Sequence, residues 1–181
     1  PPVKIWKKGE YNEELVKLVL HQVRTPDWCK ADLNALIASC RVAARRVLEL
    51  CERFGDDVYA SATALLLARN FRAMKHLIET SVSEEHVSFE DYVCDDGMGF
   101  GPYKIKCTMW REDGPNGTRV VLDFAGTDPQ SEASINFFLN ENMMKMFFGI
   151  YMIMVFDPQI LFNDGYYDLI DVRIPEGSLL K

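Results

Sequence analysis

The sequence lacks the residue groupings that usually mark a metal or disulfide site. Its three histidines, His21, His76 and His86, are scattered, and none stands with a second histidine or a carboxylate at the spacing of a zinc motif. The five cysteines include no Cys-x-x-Cys pair, and their number is odd. These absences predict reduced cysteines and no complete metal site within this chain.

A phosphate-binding loop and a membrane span are also missing. The segment from Gly97 to Gly101 has three glycines, but Pro102 and an alternating pattern follow where a helix would have to begin, and the Gly-Lys-Ser/Thr ending is absent. A flexible turn between strands is the favoured interpretation. The most apolar stretch, Met143 to Phe156, contains Lys145 and falls short of the roughly twenty residues that a bilayer requires. It predicts a helix buried in the fold or covered by a partner subunit.

Charge narrows the choice of partners. The chain has 27 acidic and 20 basic residues, for a net charge of −7. Nucleic-acid-binding proteins concentrate lysine and arginine, so a nucleic-acid partner is not expected. With 48% hydrophobic residues, the composition is that of a soluble globular protein. We therefore expect a cytoplasmic protein that binds neither nucleic acid nor membrane.

The first eighty residues repeat apolar side chains every three or four positions, which is the period of a helix. Asn12 is placed to cap a short helix, and Thr25-Pro26-Asp27 begins a long one with a cap and a first-turn proline. Gly55 is predicted to end that helix, and another should run from Val58 to about Thr80. Such closely joined helices predict a long antiparallel hairpin. The side chains expected in its core are Leu36, Cys40 and Val47.

After Ser83 the apolar period changes to two, the period of a strand. Strands are predicted to begin near Val87, Tyr103 and Val120, and a last strand runs from Leu169 to Ile174. The turn-rich segment Glu112 to Gly117 predicts a hairpin. Helices followed by strands indicate an α+β fold. We expect a helical hairpin lobe at 1–83 and an α+β lobe at 84–181, in which an antiparallel sheet accompanies one buried helix; the two lobes could also form one compact domain.

Polar residues at the end of one predicted strand form the candidate site. The strand that carries Asp123 and Phe124 runs into this segment, where Gly126 permits close backbone approach and Thr127 and Asp128 can bond to nearby backbone groups. A rigid strand-end turn is the favoured interpretation. The alternative is a pocket or interface, and its candidate residues are Asp123, Gly126, Thr127, Asp128 and Asn136.

Three blocks of the sequence carry a resemblance to a known family. They are Pro1 to Trp6, Val121 to Gln130 and Ile174 to Leu180. In order and spacing they resemble the hydantoinase B/oxoprolinase family, whose members are several times longer than this chain. The block from Ile135 to Asp171 is most similar to the alpha subunits of ATP-dependent ketone carboxylases such as acetone carboxylase. The resemblance implies an internal segment of a longer enzyme subunit.

The resemblance further implies an enzyme that uses ATP and a divalent metal to activate its substrate by phosphorylation. In the carboxylases a ketone and bicarbonate give a 3-oxo acid; in other members ATP drives the opening of a hydantoin or 5-oxoproline ring. The implied partners are a hydantoinase A-type subunit, which carries the nucleotide chemistry, and a small third subunit. A His/Asp metal site is expected upstream of Pro1, and no catalytic residue carries over to this chain. A structural, subunit-interface role is therefore expected here, with a non-catalytic assembly module as the alternative from another class.

Overall fold

Helices occupy the first part of the chain and strands most of the second in the computed structural model, which describes residues 3–181. Pro1 and Pro2, which open the first block of the family resemblance, lie outside the described residues. The chain divides into two compact units, Pro1–Ala60 and Ser61–Lys181. This boundary falls within a long helix, whereas the sequence pattern changes later, after Ser83. The predicted α+β class is confirmed.

The first unit holds a small hairpin and two helices. Its elements are β1 (Trp6–Lys7), β2 (Glu10–Tyr11), α1 (Glu13–Leu20), α2 (Pro26–Phe54) and the first residues of α3 (Asp56–Ser81). The hairpin was not predicted because each strand has only two residues; its turn places Lys8 and Gly9 at φ values of 52° and 88°. Asn12 caps α1 as predicted, since its side chain accepts a hydrogen bond from the Leu15 backbone N–H at 3.2 Å.

The two long helices of the predicted hairpin are present, but the side chains expected in their core are not buried. Pro26 begins α2, and Gly55 ends it at a φ of 87°. α2, which the structure describes throughout, has no buried side chain. Leu36 is 63% exposed, Val47 is 38% exposed, and Cys40 is exposed as well. The prediction that these three face a packed core is therefore wrong: periodicity marks an apolar face but does not say what covers it.

The second unit contains a four-stranded sheet. Its strands are β3 (Val87–Val93), β4 (Tyr103–Gly114), β5 (Gly117–Asp123) and β6 (Ile170–Arg173), in that spatial order. β3, β4 and β5 pair antiparallel, as predicted, but β6 pairs parallel with β5. The sheet is thus mixed, because the long connection after β5 crosses over before β6 begins.

Helix α4 (Glu141–Phe156) lies in that connection and covers one face of the sheet. Asn140 caps it by accepting a hydrogen bond from the Met143 backbone N–H at 3.2 Å. Its buried residues are Phe148, Gly149, Met152 and Ile153. The opposite side, which includes Phe147, Tyr151 and Met154, is exposed. α4 is therefore buried on one face only in this chain, so of the predicted alternatives complete burial within the fold is wrong, and cover by a partner subunit stays a prediction.

The core of the second unit is closed by Tyr166, which is fully buried. Tyr166 lies in a short 3-10 helix, Asp164–Leu169. Its hydroxyl donates to the backbone carbonyls of Lys145 and Met146 at 3.3 and 3.4 Å. A Cβ atom at Gly149 would overlap that hydroxyl. Gly149 is therefore what allows the ring to reach the backbone of α4.

Candidate functional site

The predicted strand-end site begins with two side chains that are fastened to the backbone of β4. The Thr127 hydroxyl accepts from the Lys106 N–H at 3.1 Å and donates to the Lys106 carbonyl at 3.2 Å. The Asp128 carboxylate accepts from the Lys104 N–H at 2.7 Å, and the Asp128 N–H donates to the Lys104 carbonyl at 2.9 Å. These four bonds continue the pairing with β4 past the end of β5. Their geometry is that of a rigid strand end.

Asp123 and Gly126 shape the turn that joins β5 to this segment. The Asp123 carboxylate accepts from the Ala125 N–H at 2.8 Å. Gly126 has a φ of 91°, which side-chain-bearing residues rarely adopt, and a Cβ there would lie 3.1 Å from a carbon of the Lys106 side chain. The turn thus needs a glycine at this position, both for its backbone angle and for its close approach to β4.

Asn136 organises the residues that follow. Its side-chain oxygen accepts from the Ser131 N–H at 2.8 Å, and its amide group donates to the Ser131 carbonyl at 2.7 Å and to the Ala133 carbonyl at 3.3 Å. The Ser131 hydroxyl in turn accepts from the Ala133 N–H at 3.0 Å. One asparagine therefore holds a whole loop in shape, from residue 131 to residue 133.

That loop forms one side of a surface cleft of about 510 Å³. The cleft is lined by Asp96, Met98, Phe100, Tyr103, Gln130, Ser131, Glu132 and Ala133. The cleft lies between the glycine-rich segment, which was predicted only as a turn, and the segment that follows the predicted strand end. Asn136 supports this lining, whereas Asp123, Gly126, Thr127 and Asp128 are not part of it. Their role as pocket or interface residues stays a prediction.

Asp96 is the central polar group of the cleft. One carboxylate oxygen accepts from the backbone N–H groups of Met98 and Phe100 at 2.8 and 3.1 Å. The other accepts from the hydroxyls of Tyr103 and Ser131 at 2.9 and 3.3 Å. Partial desolvation favours the protonated form, but these four hydrogen bonds outweigh it and hold the pKa of Asp96 below its usual value.

The same bonds explain why the glycine-rich segment does not resemble a phosphate loop. A phosphate loop offers its backbone N–H groups to an anion, whereas here Asp96 already occupies the N–H groups of Met98 and Phe100. The segment connects β3 to β4, as predicted, but it is ordered by its own carboxylate. Sequence reasoning missed Asp96, Tyr103 and Ser131. The available signal was the pair Asp95-Asp96 before a glycine, which is typical of turns closed by an aspartate side chain.

A second polar cluster lies on the sheet. The Glu112 carboxylate accepts from the Trp110 indole N–H at 2.7 Å and pairs with Arg119 at 2.6 Å and Arg173 at 3.2 Å. The hydrogen bond from Trp110, followed by that from Arg119, lowers the pKa of Glu112. His86 stacks on the Trp110 ring with 4.1 Å between ring centroids. This cluster links β4, β5 and β6. Stacking on Trp110 explains the position of His86 without a bound ligand.

The described residues offer no set of ligands for a divalent metal. Within residues 3–181, no group of three histidine, cysteine, aspartate or glutamate side chains is placed to hold a metal ion. The five cysteines, all of them in the described part of the chain, are free. Over the same residues, no helix has both the length and the apolar character needed to cross a bilayer.

Sequence comparison connects this chain to enzyme subunits. The family model described as Hydantoinase B/oxoprolinase matches residues 1–181. Caprolactamase subunit beta of Pseudomonas jessenii is 27% identical over 180 residues, which are 99% of this chain and 30% of that protein. The 5-oxoprolinase PfmaA of Pestalotiopsis fici is 26% identical over 190 residues, covering 99% of this chain and 14% of that protein. The chain thus spans less than a third of each of these relatives.

Structural comparison gives a matching fold. The nucleotide-free structure of acetone carboxylase, from work on ATP-dependent acetone carboxylation, superposes with a TM-score of 0.73 at 16% identity. The match covers 98% of this chain and 24% of that one. At this identity the likeness establishes a shared fold. Because the family model matches the entire sequence, this chain belongs to the hydantoinase B/oxoprolinase family.

Proposed function

We propose that this chain is a structural, interface-forming segment of a subunit of an ATP-dependent enzyme. The observation that carries the proposal is the exposed side of α4. Phe147, Tyr151 and Met154 lie on this side, and Met154 is 72% exposed. Soluble proteins rarely leave a contiguous apolar surface of this kind uncovered. Since the chain spans about 30% of a relative such as caprolactamase subunit beta, the rest of the enzyme is available to cover it.

A groove beside α4 extends this surface. It has a volume of about 500 Å³ and runs between α4 and the strands β3 and β4. Phe89 of β3 is 69% exposed at one wall, and Tyr151 and Phe156 stand at the other. β3 is also the outer strand of the sheet, so its free backbone edge adjoins the groove. An apolar groove beside an open strand edge suits a segment of protein better than a charged substrate.

For the reaction, we favour ATP-dependent carboxylation of a ketone by bicarbonate to a 3-oxo acid, as in acetone carboxylase. The fold shared with acetone carboxylase supports this candidate, as does the resemblance of the Ile135 to Asp171 block. The second candidate is ATP-dependent opening of a cyclic amide. It is favoured by the two relatives of 27% and 26% identity, a caprolactamase subunit and a 5-oxoprolinase. The same structural role serves either reaction.

ATP and a divalent metal are proposed to act elsewhere in the complete enzyme. The physical reason is that the described residues offer no cluster of metal ligands, and that Asp96 takes the Met98 and Phe100 N–H groups of the glycine-rich segment. A hydantoinase A-type subunit and a small third subunit are the proposed partners, in the cytoplasm. Asp123, Gly126, Thr127, Asp128 and Asn136 are proposed to hold the strand end and the adjoining cleft in shape at an interface of this assembly.

The test uses the complete subunit in which this sequence stands, expressed with its partner subunits. Met154→Asp places a charge on the exposed side of α4 and should abolish assembly on size-exclusion chromatography. Asn142→Asp, an exposed position on the same helix, is the matched control and should assemble normally. ATP hydrolysis is then measured with acetone plus bicarbonate and, separately, with 5-oxoproline, hydantoin and caprolactam. Normal assembly of Met154→Asp would contradict the interface role, and the substrate that stimulates ATP hydrolysis decides between the two reactions.

A further inference from the structure

α2 carries an apolar seam with the spacing of a two-stranded coiled coil, half-buried at Leu33, Ile37 and Cys51 and exposed at its other positions. Successive members of the seam are alternately four and three residues apart. They are Leu33, Ile37, Cys40, Ala44, Val47, Cys51 and Phe54. This is the a/d pattern of three heptads, and it extends over about 32 Å of helix. A seam of this period is complementary to another helix of the same kind, and no side chain anywhere in α2 is buried.

The charges of α2 are arranged so that a second copy is not repelled. Its C-terminal half carries Arg45, Arg46, Glu49, Glu52 and Arg53, all at heptad positions that point away from the seam. Arg45 and Arg46 are paired with Glu49 within the helix, at 3.8 and 2.5 Å. The positions that flank the seam from Leu33 to Phe54 carry a single charge, that of Arg41. Two identical seams can therefore meet without opposing like charges.

One end of the seam forms an open groove, and the other end presents a side chain to fill it. The groove has a volume of about 330 Å³ and lies where Ile5 and Trp6 approach Ile37 and Cys40. The Arg41 guanidinium lies 4.6 Å from the centroid of the Trp6 ring and takes part in the lining. At the far end of the seam, Phe54 is 51% exposed. An apolar groove and an exposed aromatic side chain on one helix are the two halves of a self-complementary contact.

We propose that α2 pairs antiparallel with α2 of a second copy of this chain, about a two-fold axis between Arg45 and Arg46. Ile37 and Phe54 lie equally far from this axis, so Phe54 of each copy reaches the groove of the other. Ala44 then meets Val47, and Cys40 meets Cys51. A parallel pair would set each residue opposite itself and leave both grooves empty. This inference goes beyond the proposed function, because it uses a different surface and does not depend on the reaction.

Disulfide trapping tests the orientation. The 181-residue chain is used in a background that carries Cys29→Ser, Cys94→Ser and Cys107→Ala, and it is oxidised with copper phenanthroline. A covalent dimer should form, and peptide mass spectrometry should show Cys40 linked to Cys51. Cys40→Ser and Cys51→Ser should each abolish the cross-link, because every disulfide bond joins Cys40 of one copy to Cys51 of the other. Cross-linking in either single variant would indicate a parallel pair and overturn the proposal.

Sedimentation equilibrium under reducing conditions tests the contact itself. Phe54→Ser should raise the dimer dissociation constant about a hundredfold, because a two-fold interface loses the aromatic contact twice. Far-ultraviolet circular dichroism of the variant should match wild type, since Phe54 is exposed in the single chain. Phe147→Ser, on α4, is the matched control and should leave the dissociation constant of this dimer unchanged. The control therefore distinguishes loss of the α2 contact from loss of the proposed α4 interface. A monomeric wild type, or an unchanged constant in Phe54→Ser, would refute the pairing.

Discussion

The hydroxyl of Ser131 donates a hydrogen bond to the carboxylate of Asp96 at 3.3 Å, across 35 positions of sequence. Asp96 orders the glycine-rich segment, and Asn136 orders the loop that contains Ser131. The single bond between them therefore joins two locally ordered loops into the walls of one cleft. Its strength depends on the charge of Asp96, because hydrogen bonds to a charged group are stronger than those between neutral groups.

We expect Asp96→Asn to loosen the glycine-rich segment while the fold persists. Asparagine offers one acceptor oxygen where the carboxylate offers two, so the hydrogen bonds from Met98, Phe100, Tyr103 and Ser131 cannot all be kept. The amides of Met98 and Phe100 should exchange their hydrogens faster than in wild type. Glu132→Gln, which changes another acid of the same cleft, should leave these rates unchanged. Equal protection in wild type and Asp96→Asn would mean that the carboxylate does not order the segment.

The same carboxylate predicts a pH dependence. Because its pKa in the folded state is lowered, the contribution of Asp96 to stability is fully present above the unfolded-state pKa of about 3.9. It is lost as the pH falls through the lower folded-state value. Protection of the Met98 and Phe100 amides should therefore persist at pH 5 and decline only below about pH 4. Carboxyl chemical shifts measured by NMR during an acid titration give the midpoint directly, and a midpoint above that of a model peptide would contradict the assignment.

Gly149→Ala should destabilise the chain, although alanine normally favours a helix. In an exposed helix the change would stabilise by about 0.5–1 kcal/mol. Here the added Cβ overlaps the Tyr166 ring, and overpacking of a core costs about 1–3 kcal/mol. Urea denaturation of Gly149→Ala and of Asn142→Ala, an exposed position on α4, separates the two effects. Stabilisation by Gly149→Ala would show that Tyr166 can move aside without loss.

Burial also distinguishes two apolar positions that the sequence pattern treats alike. Leu36 is 63% exposed, whereas Ile78 is fully buried. Leu36→Asp should therefore shift the thermal unfolding of the monomeric chain by little, since the carboxylate stays hydrated. Ile78→Asp should unfold the second unit, because an unpaired carboxylate in the core loses its hydration. Arg45→Ala should change the free energy of unfolding by less than about 1 kcal/mol, as is usual for an exposed ion pair. Comparable loss of stability in Leu36→Asp and Ile78→Asp, at concentrations where the chain is monomeric, would show that Leu36 is buried within the single chain.

Features that depend on neighbouring residues could be predicted from the sequence, and features that depend on distant ones could not. Asn12, Pro26 and Gly55 act within a few positions of themselves, so the helix boundaries were predicted well. The same holds for the hairpin of β4 and β5, whose turn is local. The parallel pairing of β6 depends on the path of a long connection, and the covering of α2 and α4 depends on surfaces that a period does not describe. The Asp96 cleft joins two such distant segments.

Cys107 should be much less reactive than the exposed cysteines Cys40 and Cys94. Burial, with a smaller effect from Asp123, raises the pKa of its thiol to about 11. The thiolate is the reactive species, so Cys107 should resist iodoacetamide at pH 8 and gain reactivity only as the pH approaches 11. Cys40 and Cys94 are exposed and should be alkylated at pH 8. Mass spectrometry of tryptic peptides after timed alkylation measures each site, and rapid labelling of Cys107 in the folded chain would show that its surroundings are open.

The chain by itself should not hydrolyse ATP in the presence of acetone and bicarbonate, and it should not retain a stoichiometric transition metal. The expectation follows from how its residues are placed: within residues 3–181 no three potential ligands converge, and Asp96 already occupies loop N–H groups that a phosphate would need. Phosphate release and elemental analysis of the purified chain measure the two properties, with the assembled enzyme as the positive control. Turnover above background, or one tightly held metal ion per chain, would show that part of the active site lies in this segment. Loss of that turnover in Asp96→Asn would then identify the cleft as its location.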